Sequence, residues 1–369
     1  MNDKPSETCS AILLRYTVRA WFCRPFPRQR VFPSAQTRMR TPSPLFDFPN
    51  RLGLQRQRLQ HALLASCGVL FPAMLALSFD ADAVARPLAL ATLYGLFIAL
   101  LAPRLMRATL LALPAAFAAG QWLHASLLIL GALLAALLAL QALASRRGWH
   151  KGVQFWVFML LLGQWSPPAA LPPWLQALAM LAGSAWGMAL AATLLPAWRS
   201  FPPRASPRAA LHYGLVMLTL ALLLWTASSR LQPLHGYWLP ILALGMCDPS
   251  AEQMGWLGRE RVIGTLYGAV AAWMLGWLPP TPLWHALLLI LVLSATLMMM
   301  GKHFRGFIAG LTLLVLTLQP PQLFRASLLE RLLDTVACAL AVSAVAWLVL
   351  RWQGRGSPQA ADAATQGGD

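Results

Sequence analysis

The sequence predicts an all-α, polytopic membrane protein of about twelve transmembrane helices in two six-helix halves. Three observations carry that expectation. Apolar residues make up 58% of the 369 residues, the mean hydropathy is +0.58, and charged residues reach only 11%, where soluble chains carry about 25%. The charge balance is strongly basic, with 29 Lys and Arg against 12 Asp and Glu, a net +17. On a soluble chain such an excess points to nucleic acid. Here the charges punctuate long apolar runs rather than cluster on a polar domain. A soluble enzyme, a nucleic-acid-binding module and a disordered chain are thereby excluded, and the lipid bilayer is the first partner.

A helix crosses the hydrocarbon in roughly 20 residues, with about 17 to 25 tolerated. Residues 1–58 hold Lys4 and ten Arg, broken by Pro25, Pro27, Pro33, Pro42, Pro44 and Pro49, and read as a basic, disordered cytoplasmic tail. Within it, Arg51 to Arg58 reads as a short basic helix at the lipid headgroups. No apolar segment there ends in a small-residue cleavage site, so no signal peptide is expected. The first membrane half, 59–198, holds Ala62–Phe79, Pro87–Pro103, two spans in Ala108–Ser145 and two in Gly152–Trp198. A short cytoplasmic linker, 199–208, separates the second half, 209–352. That half holds Ala209–Ser229, Leu231–Cys247, two spans in Val262–Gly301, then Gly306–Phe324 and Thr335–Leu350. Residues 353–369 read as a disordered C-terminal tail. Runs of 16 or 17 residues are marginal, so a few helices need not cross fully.

Orientation follows from the Lys and Arg bias. With the N-terminus inside, twelve basic residues fall in inner loops and four (Arg86, Arg230, Arg325 and Arg331) in outer ones. Both termini are therefore expected in the cytoplasm. The five cysteines are scattered and form no paired motif, so neither a disulfide framework nor a metal site is expected. No cofactor is implied. No Ser/His/Asp set, Gly-rich phosphate loop or pair of catalytic carboxylates appears, which argues against an enzyme.

The informative charges lie in the second half. His235-Gly236-Tyr237-Trp238-Leu239-Pro240 opens one helix, and Cys247-Asp248-Pro249-Ser250-Ala251-Glu252 ends it. Asp248-Pro249 itself has the form of a helix start, with Asp as N-cap and Pro at the first position. The segment from Gly258 starts the next helix and places Arg261, Gly264, Thr265 and Gly268 on one stripe. The glycines allow a close backbone approach. A second stripe, Arg331, Asp334, Thr335 and Cys338, has the same spacing. Its helix begins three spans later, hence from the opposite face, as an inverted repeat of three plus three spans requires. An arginine at a helix start reinforces the positive helix end and attracts anions, and a guanidinium holds a carboxylate bidentately. Arg261 and Arg331 would thus line an anion path, with Thr265 and Thr335 as further donors. Asp248, Glu252, Glu260, Glu330 and Asp334 would pair with them or carry protons, ionisable groups at membrane depth being costly. Tyr237 and Trp238 read either as interfacial aromatic residues or as a platform for an aromatic substrate. Arg259 reads equally as a positive-inside anchor, and Glu330–Arg331 as a structural ion pair.

Residues 235–276 resemble the signature of the fusaric acid resistance and aromatic acid exporter superfamily. The matching residues are Gly236-Tyr237-Trp238-Leu239-Pro240, Asp248-Pro249, and Arg261 with Gly264-Thr265 and Gly268. Glu330 through Thr335 is similar to that superfamily's second helix start. The resemblance covers roughly residues 209–350 and extends to the first half mainly by hydropathy. It implies a bacterial inner-membrane transporter exporting aromatic or other organic acids, and Asp334 or Glu260 is the carboxylate expected to couple export to protons. Its implied partners are a small organic anion, a periplasmic adaptor with an outer-membrane channel, and a second copy in a homodimer. Plant aluminium-activated malate transporters are distantly similar, which keeps a passive anion channel open. A non-transporting scaffold subunit of an efflux complex is the third reading. The chain departs from the pattern in having Ile241 and Leu242 soon after Pro240 and in lacking both motifs in its first half.

Overall fold

A computed structural model of the chain describes residues 48–79, 81–165, 171–198, 202–231, 236–276, 282–300, 302–317 and 324–355. The expected N-terminal tail as far as residue 47, the C-terminal tail from residue 356, and His235 lie outside the described residues. The chain divides into two units, Met1–Gly53 and Leu54–Asp369, and the packing described below belongs to the second.

Twelve α-helices occur among the described residues. They are α1 (Phe48–Ser78), α2 (Asp82–Leu101), α3 (Met106–Trp122), α4 (Leu127–Ser145), α5 (His150–Trp165) and α6 (Pro173–Leu194), then α7 (Pro207–Leu231), α8 (Trp238–Met246), α9 (Ala251–Leu275), α10 (Pro282–Met299), α11 (Phe304–Thr317) and α12 (Phe324–Arg355). Together they make an all-helical, polytopic membrane protein. The basic stretch ahead of the first apolar run is continuous with it in one helix, α1.

Helix number and crossing number differ. Six helices (α1, α2, α4, α6, α7 and α12) are long and apolar enough to cross a membrane. α8 has only 9 residues, about 14 Å of helix against a hydrocarbon thickness of ~30 Å. The span expected over Leu231–Cys247 is thus a half-helix. It stops where Cys247 turns extended, ahead of Asp248-Pro249, because a residue before proline is driven out of the helical region.

The two halves share one packing scheme. In the first, α2 packs on α3 and α6, α3 on α5 and α6, and α4 on α5. In the second, α8 packs on α9 and α12, α9 on α11 and α12, and α10 on α11. Each pair recurs six helices later. Within the second half, exchanging helix two with five and three with six turns the α8–α12 contact into α11–α9 and leaves α9–α12 on itself. That is the relation an inverted repeat imposes.

Glycines set the closest approaches. A Cβ on Gly163 (α5) would overlap the carbonyl oxygen of Phe117 (α3), and one on Gly120 the carbonyl of Leu160. The matching pair in the second half uses Gly264 and Gly268 on α9, which lie against the carbonyl oxygens of Arg305 and Ala309 on α11. Hydrogen bonds then join the halves. Gln141 donates to the Tyr213 hydroxyl at 2.8 Å, Trp225 to Gln164 at 2.8 Å, and Ser294 to Ser66 at 2.9 Å. In lipid such polar bonds add to van der Waals packing, because water exclusion offers little between helices.

Gly163→Leu is expected to force α3 and α5 apart and lower stability by about 1–3 kcal/mol. Gly255→Leu, where an added Cβ meets nothing within 4 Å, should leave the thermal midpoint of the detergent-purified protein nearly unchanged.

Candidate functional site

The site is built on α9 and α12. Gly258 faces Ala339 and Ser343, while Gly276 faces Phe324. Ala269 and Ala272 pack with Phe324, Leu328 and Leu332. Residue numbers fall along one helix as they rise along the other, so the pair is antiparallel. Arg261 and Arg331 therefore enter one interface from opposite ends, close enough to repel each other and both within electrostatic reach of Cys338.

Neither arginine stands at a helix start, as the hydropathy reading expected. α9 begins at Ala251, with Ser250 as its N-cap accepting from Gln253 N, and α12 begins at Phe324. Both guanidinium groups sit two or more turns inside, beyond the reach of the helix-end charge. Asp248 is not the cap either. Its carboxylate accepts from Ser250 N at 3.1 Å and holds the turn between α8 and α9.

The half-helix α8 lies alongside and touches both arginines. Trp238 and Gly245 are two turns apart, hence on one face. The Arg331 guanidinium carbon stands 4.8 Å from the Trp238 ring centroid, a cation–π contact. The Arg261 guanidinium occupies the space that any Cβ on Gly245 would fill. Cys338 Sγ donates to the Leu239 carbonyl oxygen at 3.2 Å and ties α12 to α8. Arg331 is only 7% exposed, and the Nε atoms of Arg261 and Arg331 are buried without a hydrogen-bond partner among the described residues.

Other predicted residues divide by position. Glu260 is engaged elsewhere, since Nε and Nη2 of Arg305 each donate to it at 2.9 Å and Arg259 adds a contact at 3.4 Å. It staples α9 to α11. Asp334 and Tyr237 lie within electrostatic reach of Arg331, and Glu330 within reach of Tyr237. The Tyr237 and Trp238 rings meet edge to face at 6.0 Å. Thr335 spends its hydroxyl on the carbonyl of Arg331 at 2.7 Å. The Thr265 hydroxyl, buried, has no such partner among the described residues. The side chain of Glu252 lies outside what is described.

The first half supplies residues that the sequence reading did not single out as site residues. Tyr94 on α2 comes within electrostatic reach of Tyr237 and Arg331. Lys151 on α5 does so for Asp248, Cys247 and Arg261. Gln154, one turn on, donates to the Leu244 carbonyl oxygen at 2.6 Å and fixes α5 against the end of α8. The arrangement is a cationic line of buried Arg331 with half-buried Arg261 and Lys151 beside aromatic rings, suited to holding an anion with a planar apolar body.

Comparison with known proteins places the same segment. Residues 212–349 match the family model described as fusaric acid resistance protein-like, which shows the family resemblance for the second half. The inner membrane protein YccS of Escherichia coli (strain K12) is 28% identical over 176 residues, 46% of this chain and 24% of that protein. The match thus spans about a quarter of the length of that curated relative. No solved structure matches.

Removing one partner of the Glu260–Arg305 pair should cost about 1–2 kcal/mol, less than a fully buried pair, because the Arg305 side chain is 42% exposed. The Glu260→Arg, Arg305→Glu exchange should recover part of the thermal midpoint that Glu260→Gln loses.

Proposed function

We propose that the chain is an inner-membrane exporter of organic anions, aromatic carboxylic acids in the first instance, driven by the proton gradient. The observation that carries the reading is the pair of guanidinium groups, their Nε atoms buried and without a hydrogen-bond partner among the described residues, that antiparallel helices bring to one half-helix. A carboxylate satisfies such donors in a charge-assisted bond. Trp238, Tyr237 and Tyr94 offer ring faces for the rest of the molecule. Asp334, within reach of Arg331, is the candidate proton carrier. Glu260 is assigned a structural ion pair instead of a coupling role. The cytoplasmic placement of both termini, an adaptor protein with an outer-membrane channel, and a homodimer belong to the same proposal.

The test is flux through the full chain in liposomes, across a panel of aromatic and aliphatic carboxylic acids under an imposed proton gradient. Arg261→Ala should reduce flux at least tenfold with unchanged insertion. Arg331→Lys, which keeps the charge but loses the stacked plane, should fall between wild type and Arg331→Ala. Asp334→Asn should uncouple flux from the gradient. A voltage-driven anion current insensitive to the proton gradient would replace export with a channel. No flux under any gradient would leave a scaffold.

A further inference from the structure

Away from the arginine pair, the end of α4 stands between two open grooves. One, of about 640 Å³, is lined by Leu105, Leu140, Leu143 and Trp156, with Arg146 and Arg147 at its rim and Trp149 on its wall. The other, of about 400 Å³, runs between α4 and α7, from Arg146 and Pro207 at one end to Ala135 and Leu218 at the other. Leu143 and Arg146 belong to both.

The second groove has a length with meaning. From Ala135 to Ser145, the residue before Arg146, is 11 residues of α4, about 16 Å of helix. That is half the ~30 Å thickness of a bilayer core, the depth of one leaflet. Ala135, Ala139 and Ala142 line its α4 side, so the groove is apolar and shaped for a chain. At its mouth the chain turns sharply. Gly148 takes a φ of 71°, Trp149 N donates to the Ala144 carbonyl at 2.9 Å, and the Arg147 guanidinium stacks on the Trp149 ring at 5.2 Å. Trp149 Nε1 is buried with no hydrogen-bond partner among the described residues. Arg146 and Arg147 are exposed.

We propose that this end of α4 binds one anionic phospholipid, its phosphate between Arg146 and Arg147 and an acyl chain in each groove. Two exposed guanidinium groups match a phosphodiester. Two apolar grooves sharing Leu143 and Arg146 match two chains leaving one headgroup. Basic pockets between membrane helices take anionic headgroups in this manner. A zwitterionic lipid places a second positive charge beside both arginines and binds more weakly. The residues lining the two grooves include none of Lys151, Arg261 and Arg331, so the proposal stands or falls independently of export.

The experiment is native mass spectrometry of the detergent-purified full chain with dioleoyl phosphatidylglycerol, dioleoyl phosphatidylcholine, dihexanoyl phosphatidylglycerol and free glycerol phosphate. Phosphatidylglycerol should be retained at least fivefold over phosphatidylcholine, and the Arg146→Gln, Arg147→Gln double variant should erase that preference. Ala139→Trp, which fills the α4–α7 groove at an exposed position, should weaken the dioleoyl form while sparing the dihexanoyl one. Equal retention of the two headgroups, or a double variant without effect, overturns the proposal. So does free glycerol phosphate competing at equal concentration, which would mark a plain phosphate site. An Ala139→Trp protein that keeps full dioleoyl binding overturns the chain assignment.

Discussion

Everything distinctive in this protein depends on keeping two like charges buried near one another. A guanidinium taken out of water costs several kcal/mol even after relaxation, and an arginine at the centre of a membrane helix costs about 2.5–3.5 kcal/mol by insertion scales. Arg331 offsets part of this through the face of Trp238, 4.8 Å away. Arg261 lies over a glycine that leaves it room. Neither arrangement neutralises charge. The carboxylate of Glu260 is already held by Arg305 with two 2.9 Å bonds, and Asp334, within reach of Arg331 alone of the two arginines, offsets part of one charge. The unspent electrostatic attraction is what an incoming anion would gain.

The half-helix α8 makes that geometry possible. A full crossing would cover both arginines with side chains and leave no turn at Cys247. Being 9 residues long, α8 instead presents Trp238 to one arginine and Gly245 to the other, then ends where α5 of the first half comes in. Gln154 secures that junction, and Lys151 adds a third cation. The first half is therefore part of the wall, although it carries neither motif of the second.

Much of this was legible in the sequence, within definite limits. The twelve helical segments follow from hydropathy, and the stripes at Arg261 and Arg331 follow from helical periodicity. Helix starts were misread for one physical reason. Charged residues such as Glu252, Arg259, Glu330 and Arg331 look like loop residues to a hydropathy ruler, yet they sit within α9 and α12. With the helix starts at Ala251 and Phe324, the two arginines lie beyond the helix-end charge that a position in the first turn would have given them. Gly245, Tyr94 and Lys151 were out of reach, since nothing local marks a glycine or a tyrosine that meets its partner many helices away. A basic residue beside Arg146 and Arg147 reads as an ordinary loop charge until α5 is seen against α8.

The most direct measurement is equilibrium binding of a radiolabelled aromatic carboxylate to the purified full chain, compared across wild type, Arg261→Ala, Arg331→Ala and the double variant. The account predicts that each single variant weakens binding at least tenfold, the double variant falling short of the summed loss because one ligand bridges both groups. Unchanged affinity in both single variants, with folding intact, would contradict it.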